Sequence, residues 1–156
     1  MRRVVITGVG LITALGTGTE KTWKSLLDGD CGINTIESFD TSDQSVHIAG
    51  EVRDFNPEDY IQKKELKKLG RFSQFAIAAS KMALDDAKLD INESNATRVG
   101  VIIGSGIGAL EVIETEIGKM IEKGPKRISP FYIPAVITNM ASGNVSIYTG
   151  AKGPNK

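Results

Sequence analysis

Two short apolar runs, each ending in a glycine corner, restrict this chain more than anything else in it. Val4-Val5-Ile6 leads into Thr7-Gly8-Val9-Gly10, and Arg98 to Ile103 leads into Gly104-Ser105-Gly106-Ile107-Gly108. Uninterrupted apolar runs of this length read as buried strands rather than half-exposed ones. The first strand is expected over Arg2 to Gly10 and the second over Arg98 to Ile103. Helical periodicity fills the spaces around them. Thr19 is a candidate N-cap for a helix carrying Trp23, Leu26 and Leu27 on one side, with Gly29 as its stop. Val46 to Val52 alternates as a short strand, and Asn56-Pro57 opens a helical turn with proline at its first position. A helix is expected from Arg71 to Lys88, with Phe72, Phe75, Ala76, Ala79, Ala83 and Ala87 on one face. Another runs from Ala109 to Glu122 behind the stripe Leu110, Ile113, Ile117, Met120 and Ile121, and a last one from Pro134 to Tyr148. Strands alternating with helices imply an α/β layered fold with some parallel sheet.

The 156 residues suffice for one domain with a substantial core, and neither a repeat nor a domain boundary interrupts them. Nineteen basic residues balance nineteen acidic ones, so net charge points to no nucleic-acid partner. With a single cysteine, Cys31, no internal disulfide can form, which suits a cytoplasmic protein; one cysteine and one histidine, His47, argue against a zinc site. The apolar run after Met1-Arg2-Arg3 is too short for a signal peptide, and no run approaches the roughly 20 residues of a membrane span.

Glycine corners after strands invite a dinucleotide reading, in which backbone N–H groups and a helix N-terminus approach a pyrophosphate. Gly8 and Gly10 fit the first two places of that pattern, but the third falls on Thr13. For this corner, tight packing without a ligand is the better reading. Gly104, Gly106 and Ala109 satisfy the pattern, which then needs a carboxylate at the end of a second strand about 20 residues on. Glu122 is near that spacing but stands in a helix. Tyr148 and Lys152 have the spacing of a dehydrogenase pair, with Gly150 between them as a helix breaker.

Taken together, four segments carry a different resemblance: Arg3 to Gly10; Gly104 to Gly108; Ser129-Pro130-Phe131-Tyr132-Ile133-Pro134; and Asn139 to Gly143 followed by Gly150-Ala151-Lys152-Gly153-Pro154-Asn155. In order and spacing they resemble the β-ketoacyl-acyl carrier protein synthases, most closely the elongating synthase II class of the type II system. The resemblance implies a thiolase-like fold with layers α-β-α-β-α, of which this chain would supply mainly the N-terminal half. It implies a cytoplasmic homodimer, no cofactor, and a decarboxylative condensation of an acyl thioester with malonyl-acyl carrier protein. The family's nucleophilic cysteine follows the Gly-Pro-Asn segment, here Gly153 to Asn155, and its two histidines come later still. Residues 1–156 are therefore expected to be an N-terminal synthase domain truncated before the nucleophile. Alone they should contain no catalytic residue, be inert in condensation, and associate through uncovered apolar surface.

What such a segment would contribute is binding. Ile107 matches a position lining the acyl pocket near the dimer interface, where steric fit sorts chain lengths; plain core packing is the alternative. Tyr132 matches a position, usually Phe, that reaches into the partner subunit's pocket. Lys63, Lys64, Lys67 and Lys68 form one basic patch, and Lys126 and Arg127 a second, both matching regions that dock the acidic carrier protein. An ordinary solvated face is the other reading of these charges. A non-catalytic homologue of the chain-length-factor kind, and an NAD(P)-binding oxidoreductase module, remain as alternative functions.

Overall fold

The computed structural model describes residues 3–156. Arg2, where the first strand is expected to begin, lies outside them. In chain order the elements are β1 (Ile12–Thr13), β2 (Gly16–Thr17), α1 (Thr19–Asp28), β3 (Asn34–Thr35), β4 (Ile48–Ala49), α2 (Lys63–Leu66), α3 (Arg71–Asp86), α4 (Leu110–Lys123), α5 (Tyr132–Val136) and α6 (Met140–Thr149), with 3₁₀ turns at Pro57–Asp59, Ala96–Arg98 and Pro125–Arg127. β1 pairs with β2 and β3 with β4, both antiparallel.

The core lies between α3 and α6. Ile61, Ile77, Val101, Val145 and Ala151 form it, with Leu66, Leu69, Ile91, Val99, Ile103 and Tyr148 packed against them. On α3 the fully buried side chains are Ser73, Ile77 and Ala78, not the row Phe72, Phe75, Ala76, Ala79, Ala83 and Ala87 expected from periodicity, which is half-buried. α3 touches neighbours on two sides, so the two rows share the helix between them. α6 lies on the first, and the extended segment through Gly8 and Gly10 lies along the other.

The strand expected over Arg98 to Ile103 shrinks to one isolated parallel bridge, Val101 to Asn155, with Arg98 taken into a 3₁₀ turn. Val101 donates its N–H to Pro154 O at 2.8 Å, Lys156 donates to Val101 O at 3.0 Å, and Ile103 donates to Lys156 O at 3.0 Å. Its partner is the segment 153–156, where the sequence shows only helix-stopping Gly153-Pro154. Pro154 is tolerated because the bridge uses its carbonyl and needs no N–H from it.

The strand expected over the first apolar run does not form among the described residues; that segment joins no sheet there. Val4 is 96% exposed and Ile6 87%. What the segment does instead is lie against α3: Val9 N–H donates to Asp86 Oδ2 at 2.8 Å. A Cβ at Gly10 would run into the carbonyl of Ala79, and one at Gly8 into that of Ala83. These two glycines serve close backbone packing, as the failed third place of the nucleotide pattern suggests.

Three helices differ from their expected form. α1 has Gly18 as its N-cap; Thr19 is the first helical residue and gives its hydroxyl to Val9 O at 3.1 Å. Its face Trp23, Leu26 and Leu27 is exposed. The stripe of α4 is also largely outward, with Leu110, Ile117, Met120 and Ile121 exposed, while Glu116 is buried. The expected helix 134–148 is two helices, because Ile137 turns extended (ψ 135°) and Thr138-Asn139 restarts the chain into α6. Gly150 ends α6 in the left-handed region (φ 81°).

Candidate functional site

The segment 99–103, bridged at Val101, delivers the chain into the corner 104–108, and the corner delivers it into α4. Gly108 carries φ +82°, and a Cβ there would collide with the carbonyl of Val136 at the end of α5. Only glycine meets both conditions. Its N–H donates to Ser105 Oγ at 3.1 Å, which tightens the corner. Ile107 stands on the crest, 66% exposed, so it is not core packing within these residues. Ala109 behind it is fully buried and faces Gly70, where a Cβ would meet that of Ala109 at 2.5 Å and Ala135 O at 2.6 Å. The starts of α3 and α4 and the end of α5 thus converge on one point.

Tyr132 is the first residue of α5 and half-buried. Its N–H donates to Ser129 O at 3.0 Å, and Phe131 N–H donates to Ser129 Oγ at 3.2 Å, so Ser129 organises the turn into α5. Ser129 is itself held: its N–H donates to Glu116 Oε2 at 2.7 Å. Lys119 donates to the other carboxylate oxygen at 2.6 Å. Those two bonds, the Lys119 ammonium first and the Ser129 N–H second, hold the Glu116 carboxyl below its ordinary pKa, against an opposing push from burial. A glutamate on an amphipathic helix ordinarily reads as solvated, so nothing in the sequence singled out Glu116.

The two basic patches are placed differently. Lys63 and Lys64 lie in α2, Lys67 and Lys68 just after it. Lys63 pairs with Glu58 at 3.2 Å and Lys68 with Glu65 at 3.0 Å, so the patch is less positive than its spacing suggests. Lys68 also sits 5.4 Å from the centroid of the Phe131 ring, which brings this patch against the turn that carries Tyr132. Lys126 and Arg127 lie exposed in the 3₁₀ turn packed on α4, and neither makes an ion pair among the described residues.

Two other chemistries can be weighed. Glu122 belongs to α4 and is followed by Gly124 and a 3₁₀ turn, so no strand end presents a carboxylate to a ribose. Tyr148 lies in α6, but Gly150 ends the helix before Lys152. Burial, and then the charge of Glu65, push the Tyr148 phenol above its ordinary pKa, the wrong direction for a proton donor at neutral pH. The Sγ of Cys31 is exposed and contacts only Ile33 O at 3.8 Å, and His47 Nδ1 faces Thr41 Oγ1 at 3.2 Å; the two do not form a nucleophile–base pair. Among the described residues no three His, Cys, Asp or Glu side chains gather as a metal site. No helix there is long and apolar enough to cross a membrane.

Comparison with known proteins resolves what the corner and the α5 turn belong to. The family model described as "Beta-ketoacyl synthase, N-terminal domain" matches residues 1–156. The chain belongs to the β-ketoacyl synthase family. It is 51% identical over 154 residues to the 3-oxoacyl-[acyl-carrier-protein] synthase 2 of Staphylococcus aureus (strain COL), covering 99% of this chain and 37% of that protein. The figures are the same for the enzyme of that name from Vibrio cholerae serotype O1. The chain therefore spans well under half the length of these relatives. Among solved structures it is similar to the ishigamide ketosynthase/chain length factor, with TM-score 0.84 and 29% identity over 99% of this chain and 39% of that one. It is also similar to a β-ketoacyl synthase from Burkholderia phymatum STM815, with TM-score 0.79 and 31% identity over 98% and 38%. A third neighbour is a ketosynthase in complex with its type II polyketide acyl-carrier protein, with TM-score 0.80 and 26% identity over 97% and 41%. The fold is that of the N-terminal portion of thiolase-like ketosynthases, as the resemblance carried by the four segments implies.

Proposed function

We propose that this chain is the N-terminal part of a 3-oxoacyl-[acyl-carrier-protein] synthase of fatty-acid synthesis. The observation that carries the reading is the 51% identity, held across 99% of the chain, to relatives of that name. The reaction joins two thioesters. An acyl group moves from carrier protein to a cysteine thiolate, malonyl-carrier protein loses CO₂, and the resulting carbanion attacks the acyl thioester and releases the thiolate. Cys31, exposed and without a base, does not supply that thiolate, so the nucleophile belongs to sequence outside these residues. Here the chain contributes binding: Ile107 and Tyr132 as walls of the acyl pocket, Lys63, Lys64, Lys67, Lys68, Lys126 and Arg127 as the docking face for an acidic carrier protein. The reading includes a homodimer, which a pocket wall reaching across subunits requires, and a cytoplasmic location.

The test is a condensation assay with the complete gene product, an acyl-carrier protein and malonyl-carrier protein. We expect 3-oxoacyl-carrier protein and CO₂ in equal amounts. Replacing Lys126 and Arg127 by Ala should raise KM for the carrier protein, with less effect on kcat, and blunt its salt dependence. A product that stays dimeric, binds carrier protein and condenses nothing would favour the chain-length-factor reading, which the similarity to the ishigamide ketosynthase/chain length factor keeps in view. Saturable NAD(P) binding would sink both.

A further inference from the structure

The two proposed pocket residues sit on different elements, and something must fix the distance between them. One end of α5 is fixed at Val136, whose carbonyl packs against Gly108 beside Ile107. The other end, at Tyr132, hangs from Ser129, and Ser129 hangs from Glu116 on α4. Both ends of α5 are thus referred to α4, eight residues apart along it: Gly108 just before its first turn and Glu116 in its middle. Glu116 is 5% exposed, and a buried charge is retained only where it is paired. Glu116 meets that condition with one oxygen for Lys119 and the other for the backbone of Ser129. A carboxylate spent on a backbone N–H fixes a main-chain position rather than a side chain.

We infer that Glu116 is a positioning residue for acyl-chain selection, holding the Ser129–Tyr132 turn, and with it Tyr132, at a set distance from Ile107. The inference rests on the pocket roles of Ile107 and Tyr132 proposed above. Glu116 itself touches no acyl chain; it acts through Ser129. With the anchor gone, Tyr132 drifts, and the pocket sorts chain lengths less sharply.

The experiment uses the complete gene product with Glu116→Ala and Glu116→Gln. Glutamine keeps an acceptor for the Ser129 N–H and gives up the charge. For each protein, kcat/KM is measured on acyl-carrier substrates of short and long chain, and hydrogen exchange is followed by mass spectrometry on a peptide spanning residues 128–133. We expect Glu116→Ala to change the long-to-short ratio of kcat/KM by about tenfold and to speed exchange in that peptide. Glu116→Gln should move both back toward wild type. If alanine lowers kcat/KM equally on every chain length, Glu116 is structural only and the inference is overturned. Should the wild-type product condense nothing, the synthase reading fails by itself, and exchange still decides the anchor: unchanged exchange in Glu116→Ala overturns it.

Discussion

Two regions of this molecule are held together by different physics. Around α3 and α6 the contacts are apolar and closed: Ile77 is 0% exposed and Val145 3%, with Val101 and Ala151 completing the cluster. In residues 3–54 the apolar side chains largely face outward, and carboxylates do the joining. Asp54 accepts from Thr17 N at 3.1 Å and from Lys21 Nζ at 2.6 Å, tying β2 to α1. Glu51 accepts from Glu37 N at 2.9 Å, Ser38 N at 3.1 Å and Arg53 at 3.0 Å, which closes the β3–β4 hairpin. The difference is one of sensitivity. Apolar burial does not itself titrate, whereas hydrogen-bonded carboxylates fail when protonated.

The largest effect should come from the inner region. Ile77→Ala removes a fully buried side chain from the centre of the α3–α6 contact and should cost about 3 kcal/mol in urea unfolding, with the midpoint shifted at nearly constant slope. Ile6→Ser and Leu27→Ser should cost less than about 0.5 kcal/mol in the 156-residue chain, because both side chains are already in water. Those two should instead reduce self-association in sedimentation, since they interrupt exposed apolar surface. Equal unfolding costs for Ile77→Ala and Ile6→Ser would abolish the distinction between the regions.

A middle-sized effect is expected where a polar side chain seals the inner region. Asn155 receives the Ser142 hydroxyl at 2.9 Å and gives its amide to Ser142 O at 2.9 Å and to Ser146 Oγ at 2.6 Å. It pins the segment 153–156 to α6. Asn155→Ala leaves the buried Ser142 hydroxyl with one partner fewer and should cost about 1–2 kcal/mol. Asn155→Asp keeps the acceptor for that hydroxyl but turns two donors into acceptors, so it should be no better than alanine. Thermal melts of the three proteins decide it, and an aspartate variant as stable as wild type would refute the geometry.

How much of this was legible beforehand follows the same division. The helices α1, α3 and α4 and the glycine corner at 104–108 were readable because each is local: a periodic stripe, a stop residue, a strand run. Partners were not. Nothing local announces that Gly153-Pro154-Asn155-Lys156 bonds to another segment, since its partners lie some fifty positions earlier and one of the bonds uses a proline carbonyl. Periodicity marked Ile117 and Ile121 as inward, and the described residues leave both exposed while Glu116, which no pattern singled out, is buried. A pattern of apolar residues states that a face seeks cover; it does not state where the cover lies. Of the candidate site, the lysine cluster was readable from its spacing, whereas Ile107 and Tyr132 came through resemblance alone, because their chemistry is too plain to stand out.

The smallest effect belongs to the outer region and is a matter of pH. Hydrogen bonds from Ser38 foremost, then from Glu37 N–H and Arg53, pull the Glu51 carboxyl down to about 2 from its ordinary 4.5. A carboxyl whose folded pKa is depressed stabilises the fold above its unfolded value and loses that contribution as pH falls through the folded one. The β3–β4 hairpin should therefore hold fully above pH 4.5 and loosen between 4.5 and 2. Asp54, lowered chiefly by Lys21, adds to the same acid limb at β2 and α1. The protection factors of the Ser38 and Ile36 amides, referred to the intrinsic rate at each pH, should fall across this window while that of Ile77 stays high. Glu51→Gln should flatten the acid limb at Ser38, because an amide keeps an acceptor and has nothing to titrate. If Ile77 and Ser38 open together as pH falls, the two regions are one cooperative unit, and the carboxylates are incidental to what joins them.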